Sequence, residues 1–291
     1  MGIFDVFSGT KRAAAAAATA TVEARVAELA AALPFDAQIS VATDKVPMPT
    51  VYTVMVLGTR RELPALVNRT AEVIESLGRY EELDLRISES MESGAVFSSL
   101  RISGRTTDRP HIDSLVRGHD SLVEILPDQT LMVEGSHAGY AVSAVKSEEA
   151  VNVARLLGRW WENMLETELA LWSSSEIMVE IGEKADEPEI SYAIDIEGSD
   201  GELDAVAVPP EQKREYAQRA VAAWNESLGD LEAMTKVKAR RGYVIRLGFT
   251  PTALNPIVVA EDQEEFEDDE DEANEIAEAI RFHNPGSKIT V

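Results

Sequence analysis

A helical run followed by a pair of short strands returns several times between Ala14 and Phe249, and this recurrence constrains the fold more than any other feature of the chain. From Ala14 to Leu33 an alanine-rich stretch places Val22, Val26, Leu29 and Leu33 at helical spacing, and Pro34 stops it. Ile39 and Val41 then alternate with polar neighbours. After the Pro47 to Pro49 turn, Val51 to Leu57 reads as a buried strand. The pattern restarts with a helix from Glu62 to Tyr80, lined by Leu66, Val73, Ile74 and Leu77. A hairpin follows, in which Leu83, Leu85 and Ile87 are answered by Val96, Ser98, Leu100 and Ile102.

A third round is less regular. Asp108 caps a helix from Pro110 to Ile125, Pro127-Asp128 closes it, and Leu131 to Val133 pairs with Tyr140 to Val145. Ser147-Glu148-Glu149 opens the longest helix. Its apolar residues, among them Val151, Val153, Ala154, Leu156, Trp160, Trp161 and Leu165, are too widely spread for one face, so burial on two sides is expected. Strands follow at Ile177 to Ile181, Tyr192 to Ile196 and Leu203 to Val208. Pro209-Pro210 starts another helix, with Tyr216, Ala220, Val221, Trp224 and Leu228 on one face and Gly229 at its end. The last expected hairpin pairs Thr235 to Ala239 with Tyr243 to Phe249 across Arg241-Gly242.

This order predicts an α+β protein made of two related halves of antiparallel sheet with packed helices. The expected divisions are an N-terminal segment 1–13, a first domain 14–145, a second domain 146–255 and an acidic C-terminal segment 256–291. The halves are unequal, which argues against uniform solenoid stacking. The order α-β-β-β-α-β-β-α in the second half, with Val206-Ala207-Val208-Pro209-Pro210-Glu211 leading into a helix that carries Ala222-Ala223-Trp224-Asn225, resembles the YbjN family over residues 147–278. That family is similar in fold to type III secretion chaperones. The resemblance implies a non-enzymatic binding or chaperone-like role and supplies no catalytic residues.

Charge bounds the partners. There are 52 acidic and 27 basic residues, a net charge of −25, and residues 261–291 hold twelve of the acids against Arg281 and Lys288. The remainder is acidic too, which disfavours sequence-independent nucleic-acid binding and anionic membrane surfaces and favours basic proteins or peptides. Cysteine is absent, which excludes disulfides and thiolate zinc sites and fits a cytoplasmic location. No apolar run is long enough to span a bilayer, so integral membrane association is not expected. Met1 to Phe7 reads as a frayed or docking terminus, and Val6 stands where myristoylation favours Ser or Thr.

No reaction centre is legible. The phosphate-cradling GxxxxGK[ST] and GxGxxG patterns are missing, as are the GxSxG elbow and HExxH, so no cofactor and no catalytic residue is expected. Among the histidines, His111, His119, His137 and His283, the first two are eight residues apart. On a helix that spacing leaves them about 80° out of alignment, a poor metal geometry. The candidate partner-binding residues are instead Trp160 and Trp161, a costly pair unless something covers them, and the alternating cations Lys236, Lys238 and Arg240, extended by Arg246. The tryptophan helix is a route to a homodimer. The acidic tail from Glu261 to Glu272 is expected to be solvated, or to screen the basic strand from a partner.

The expected function is therefore a protein- or peptide-binding, chaperone-like or adaptor protein. An assembly component of a larger particle is the alternative, and an enzyme with an unrecognised site the third reading.

Overall fold

The structure is a computed structural model and describes residues 20–33, 37–43, 49–88, 96–105, 107–135, 139–167, 176–182, 190–196, 210–236, 243–249, 257–262 and 270–287. It is an α+β fold. Helix α1 spans residues 20–32, and hairpin β1 (Gln38–Thr43) and β2 (Thr50–Leu57) follows it. A 3-10 turn (Arg60–Glu62) leads into α2 (Leu63–Arg69) and α3 (Ala71–Glu75), then to β3 (Glu81–Ser88) and β4 (Ser98–Ser103). Next come α4 (Arg109–Ile125), β5 (Thr130–Glu134), β6 (Gly139–Val145) and α5 (Ala150–Thr167). The chain continues through β7 (Glu176–Ile181), β8 (Ile190–Ile196), α6 (Pro210–Glu226), α7 (Leu228–Lys236), β9 (Tyr243–Phe249), β10 (Ile257–Asp262) and α8 (Glu270–His283).

Among the described residues the strands form one ten-stranded sheet in sequence order. Within each hairpin the pairing is antiparallel, but β2–β3, β4–β5, β6–β7 and β8–β9 are parallel. The expected antiparallel sheet is therefore a mixed one. The reason is that a helix between two hairpins acts as a crossover, and a crossover returns the chain in its original direction. The sheet also runs unbroken through the expected boundary at 145 and 146, since Val142 pairs with Val179 and Val145 with Ile181.

Each crossover steps the same way along the sheet, and right-handed connections then lay the helices on one face. Side-chain burial agrees. Tyr52, Val54 and Val56, then Leu83, Leu85 and Ile87, Leu100 and Ile102, Leu131 and Val133, Tyr140 and Val142, and Ile177 and Val179 are buried at alternate positions. They share one core cluster with Leu63, Leu66, Ile74, Leu115, Leu122, Leu157 and Leu231 from the helices.

Aromatic side chains lock the helices to this layer. Trp160 donates from Nε1 to the Ser121 hydroxyl at 2.7 Å and meets Tyr140 edge-on at 4.7 Å between centroids. Trp224 donates to the Ala154 carbonyl at 2.8 Å and lies 4.5 Å from Tyr192. Two helical glycines make room. A β-carbon on Gly158 would sit 2.6 Å from the Trp224 ring, and one on Gly118 would collide with the Tyr140 phenol.

Three expectations at the C-terminal end are corrected. Thr235 and Lys236 finish helix α7 rather than starting a strand, and Gly229 lies inside that helix, because Leu231, Ala233 and Met234 are buried along it. The antiparallel partner of β9 is β10, with Val259 opposite Arg246 and Ile257 opposite Gly248. The segment 256–291 is thus more than an acidic tail: its apolar residues Ile257 to Ala260 make a strand, and Ala277 and Ile280 bury α8 against α7. Asn284 secures the end by donating to Asp230 at 2.8 Å. The expected strand Leu203 to Val208, the N-terminal segment and residues 263–269 of the acidic run lie outside the described residues. Among the described residues no helix is long and apolar enough to cross a membrane.

Helix α1 is held by ions as well as by Leu29. Arg25 reaches Glu81 at 3.0 Å, the Ser76 hydroxyl at 2.7 Å and the Ser76 carbonyl at 2.9 Å. Burial opposes charge on Glu81, but Arg25, the Gly78 N–H and the Tyr52 hydroxyl outweigh it and hold the carboxyl below its ordinary range. Burial and Glu81 together push Tyr52 up to about 12. A depressed folded value means that this tether contributes stability above the ordinary value of 4.5 and loses it as pH falls through the folded one. Protection of the α1 amides relative to their intrinsic exchange rates should therefore fall in acid before that of the sheet, and Glu81→Gln should bring that loss to neutral pH.

Ala144 is held at φ 57°, beside the register shift between Val142 and Val145 in β6. A side chain there costs about 1 kcal/mol, which glycine avoids. Denaturant titration should find Ala144→Gly more stable by up to about 1 kcal/mol, less the entropy that glycine adds to the unfolded chain.

Candidate functional site

Strands alternate their side chains, so covering one face with helices leaves the other to different chemistry. On that open face β5 and β7 carry the same run: Leu131-Met132-Val133-Glu134 and Ile177-Met178-Val179-Glu180. Their valines enter the core, and their methionines and glutamates point the other way. β6 lies between them, antiparallel to β5 and parallel to β7, so the two runs travel in opposite directions. Met132 and Met178 consequently fall on either side of Ala141 in one cross-strand row, with Glu134 and Glu180 at opposite ends.

This row floors a groove of about 240 Å³ whose wall is built by Asp84, Arg86, Ser99 and Arg101. The wall is internally neutralised. Arg86 binds Asp84 at 2.7 Å, and Arg101 binds Glu82 at 2.7 Å. Burial alone would weaken the charge on Arg101, yet Glu82 and Glu134 outweigh it and raise its pKa. Met132 is 37% exposed and receives a contact from the Ser143 hydroxyl at 3.4 Å.

Glu180 is different. Its carboxylate accepts from the Ser143 hydroxyl, burial pushes its pKa up, and among the described side chains no cation offsets that. A carboxyl with a raised folded value stabilises the fold below its ordinary value of 4.5, and that contribution disappears as pH rises through the folded value. Glu180→Gln should therefore raise Tm at pH 8 and leave it near wild type at pH 4, in thermal melts across that range.

The residues singled out by sequence fall elsewhere. Trp160 and Trp161 are 2% and 1% exposed, so the chain itself covers them and they offer no contact surface. Their costly apolar area is spent on the core, where α5 touches α4, α6 and α7. Lys236 sits at the end of a helix, paired with Glu232 at 2.7 Å, so it does not belong to a basic strand. Lys238 and Arg240 lie outside the described residues, and Arg246 is placed on β9 by its backbone. His111 and His119 do not converge. His111 bonds the Gly135 carbonyl at 3.0 Å, whereas His119 is fully buried with Ser98 at 3.0 Å and Asp120 at 3.4 Å. That Ser-His-Asp order imitates a hydrolase triad, but Ser98 is itself fully buried and does not line the groove.

Sequence reasoning missed the groove because it followed apolar periodicity, which records the core face. The signal was nonetheless present, as the repeated Met-Val-Glu on two strands. Comparison with protein-family models, with characterised proteins and with solved structures finds no match to this chain.

Proposed function

We propose that this chain is a non-enzymatic protein-binding module, chaperone-like or adaptor-like, that holds a basic segment of a partner protein against the open face of its sheet. The observation that carries this reading is Glu180, a largely buried carboxylate that no cation offsets among the described side chains, next to two methionines. Burying a carboxylate without a counter-charge costs stability, and a lysine or arginine from a partner removes that cost. Methionine is flexible and polarisable, which suits a floor that adapts to different apolar side chains. The groove takes one or two side chains, so a segment with an apolar residue flanked by basic ones fits its chemistry.

The net charge of −25 draws such a segment in at long range. The resemblance of residues 147–278 to the YbjN family, with its chaperone-like fold relatives, points the same way, and the absence of cysteine fits a cytoplasmic setting.

Fluorescence anisotropy with a labelled lysine–leucine peptide and its glutamate–leucine counterpart tests this. The basic peptide should bind, more weakly as salt rises, and the acidic one should not. Ala141→Arg and Glu180→Gln, each checked by circular dichroism, should weaken binding by about tenfold, the loss of one charge-assisted contact. Equal binding of both peptides, or unchanged affinity in both variants, would rule the groove out.

A further inference from the structure

The outer edge of β1 is a second surface, independent of the groove. β1 pairs with β2 in regular register over all six residues, from Gln38 opposite Met55 to Thr43 opposite Thr50, and among the described residues no strand pairs with its other side. Such an edge presents a row of backbone donors and acceptors to solvent. Proteins blunt edges of this kind with lysine, proline or a bulge. The sequence Gln-Ile-Ser-Val-Ala-Thr contains no charge and no proline, and its register contains no bulge.

Charge decides what can approach it. Two copies of a chain with 25 net negative charges repel each other over most of their surfaces. β1 is uncharged along its whole length, and so is its neighbour β2, Thr50–Leu57. The opposite end of the sheet differs, because β10 finishes in Glu261 and Asp262 and the acidic run 264–272 follows. Two copies therefore meet most cheaply at β1.

We infer that the chain dimerises by antiparallel pairing of β1 with β1 of a second copy, about a two-fold axis perpendicular to the sheet. Such an axis keeps the helix-covered faces of the two sheets on the same side. Residues directly opposite one another must share a face, so a centre at Ser40 places Ile39 of each copy against Val41 of the other. Those β-branched pairs extend the core layer, and Ser40 meets Ser40 on the open face. The contact is self-complementary and closes at two copies. The route to a homodimer through the Trp160–Trp161 helix is closed by burial, and this edge replaces it.

Sedimentation velocity on the full chain over a wide concentration range tests the inference. Wild type should show a monomer–dimer equilibrium. Ser40→Lys and Ser40→Glu, at an exposed position, should each raise the dimer dissociation constant by about tenfold by setting like charges opposite one another. Mixing the two variants should restore the dimer, a rescue that a folding defect cannot produce. A wild type that stays monomeric at the highest concentration, growth into open-ended polymers, or a dimer indifferent to both substitutions would overturn the inference.

Discussion

Everything in this fold depends on one apolar layer, the surface on which a row of hairpins meets the helices that connect them. A lone hairpin buries too little to be stable. Each helix here covers the strands beside it and also carries the chain to the next hairpin, so coverage and connectivity are the same act. The tightest joints in the layer are aromatic. Tyr140 lies over Gly118 and beside Trp160, and Trp224 lies over Gly158 and beside Tyr192. The two helical glycines cost local helix propensity, and the aromatic area they admit outweighs it.

A consequence of one-sided coverage is a sheet face with no apolar obligation. Its side chains solve a solvation problem instead. Asp84 with Arg86 and Glu82 with Arg101 cancel in pairs. Glu180 shares a serine hydroxyl, and among the described side chains no cation offsets its burial. The ends of the sheet differ in the same spirit, since β1 is uncharged while β10 runs into a dense acidic stretch.

Much of the architecture was readable from spacing. Strands such as Leu83 to Ile87 and helices such as Arg109–Ile125 announce themselves by period, because burial on one side forces apolar residues to recur. The end of the chain was harder. Thr235 and Lys236 continue a helix whose buried residues include Leu231, Ala233 and Met234, although the alternation of Lys236, Lys238 and Arg240 in the sequence predicts a strand starting there. Ile257 to Ala260 was masked in the same way by the acids that follow it. In both places local charge pattern competed with packing, and packing prevailed. For the candidate site, the repeated Met-Val-Glu was visible as letters but carried no meaning until strand directions were known.

The sequence by itself determined the alternation of helix and hairpin, the α+β class and the strongly acidic character, since each is a property of local spacing or composition. Only the tertiary structure decided that the hairpins join in one mixed sheet, that Trp160 and Trp161 are core residues, and that Met132, Ala141, Met178 and Glu180 meet on one face. The physical reason is that side-chain period is a property of one segment, whereas strand order, relative direction and register arise between segments that are far apart in the chain.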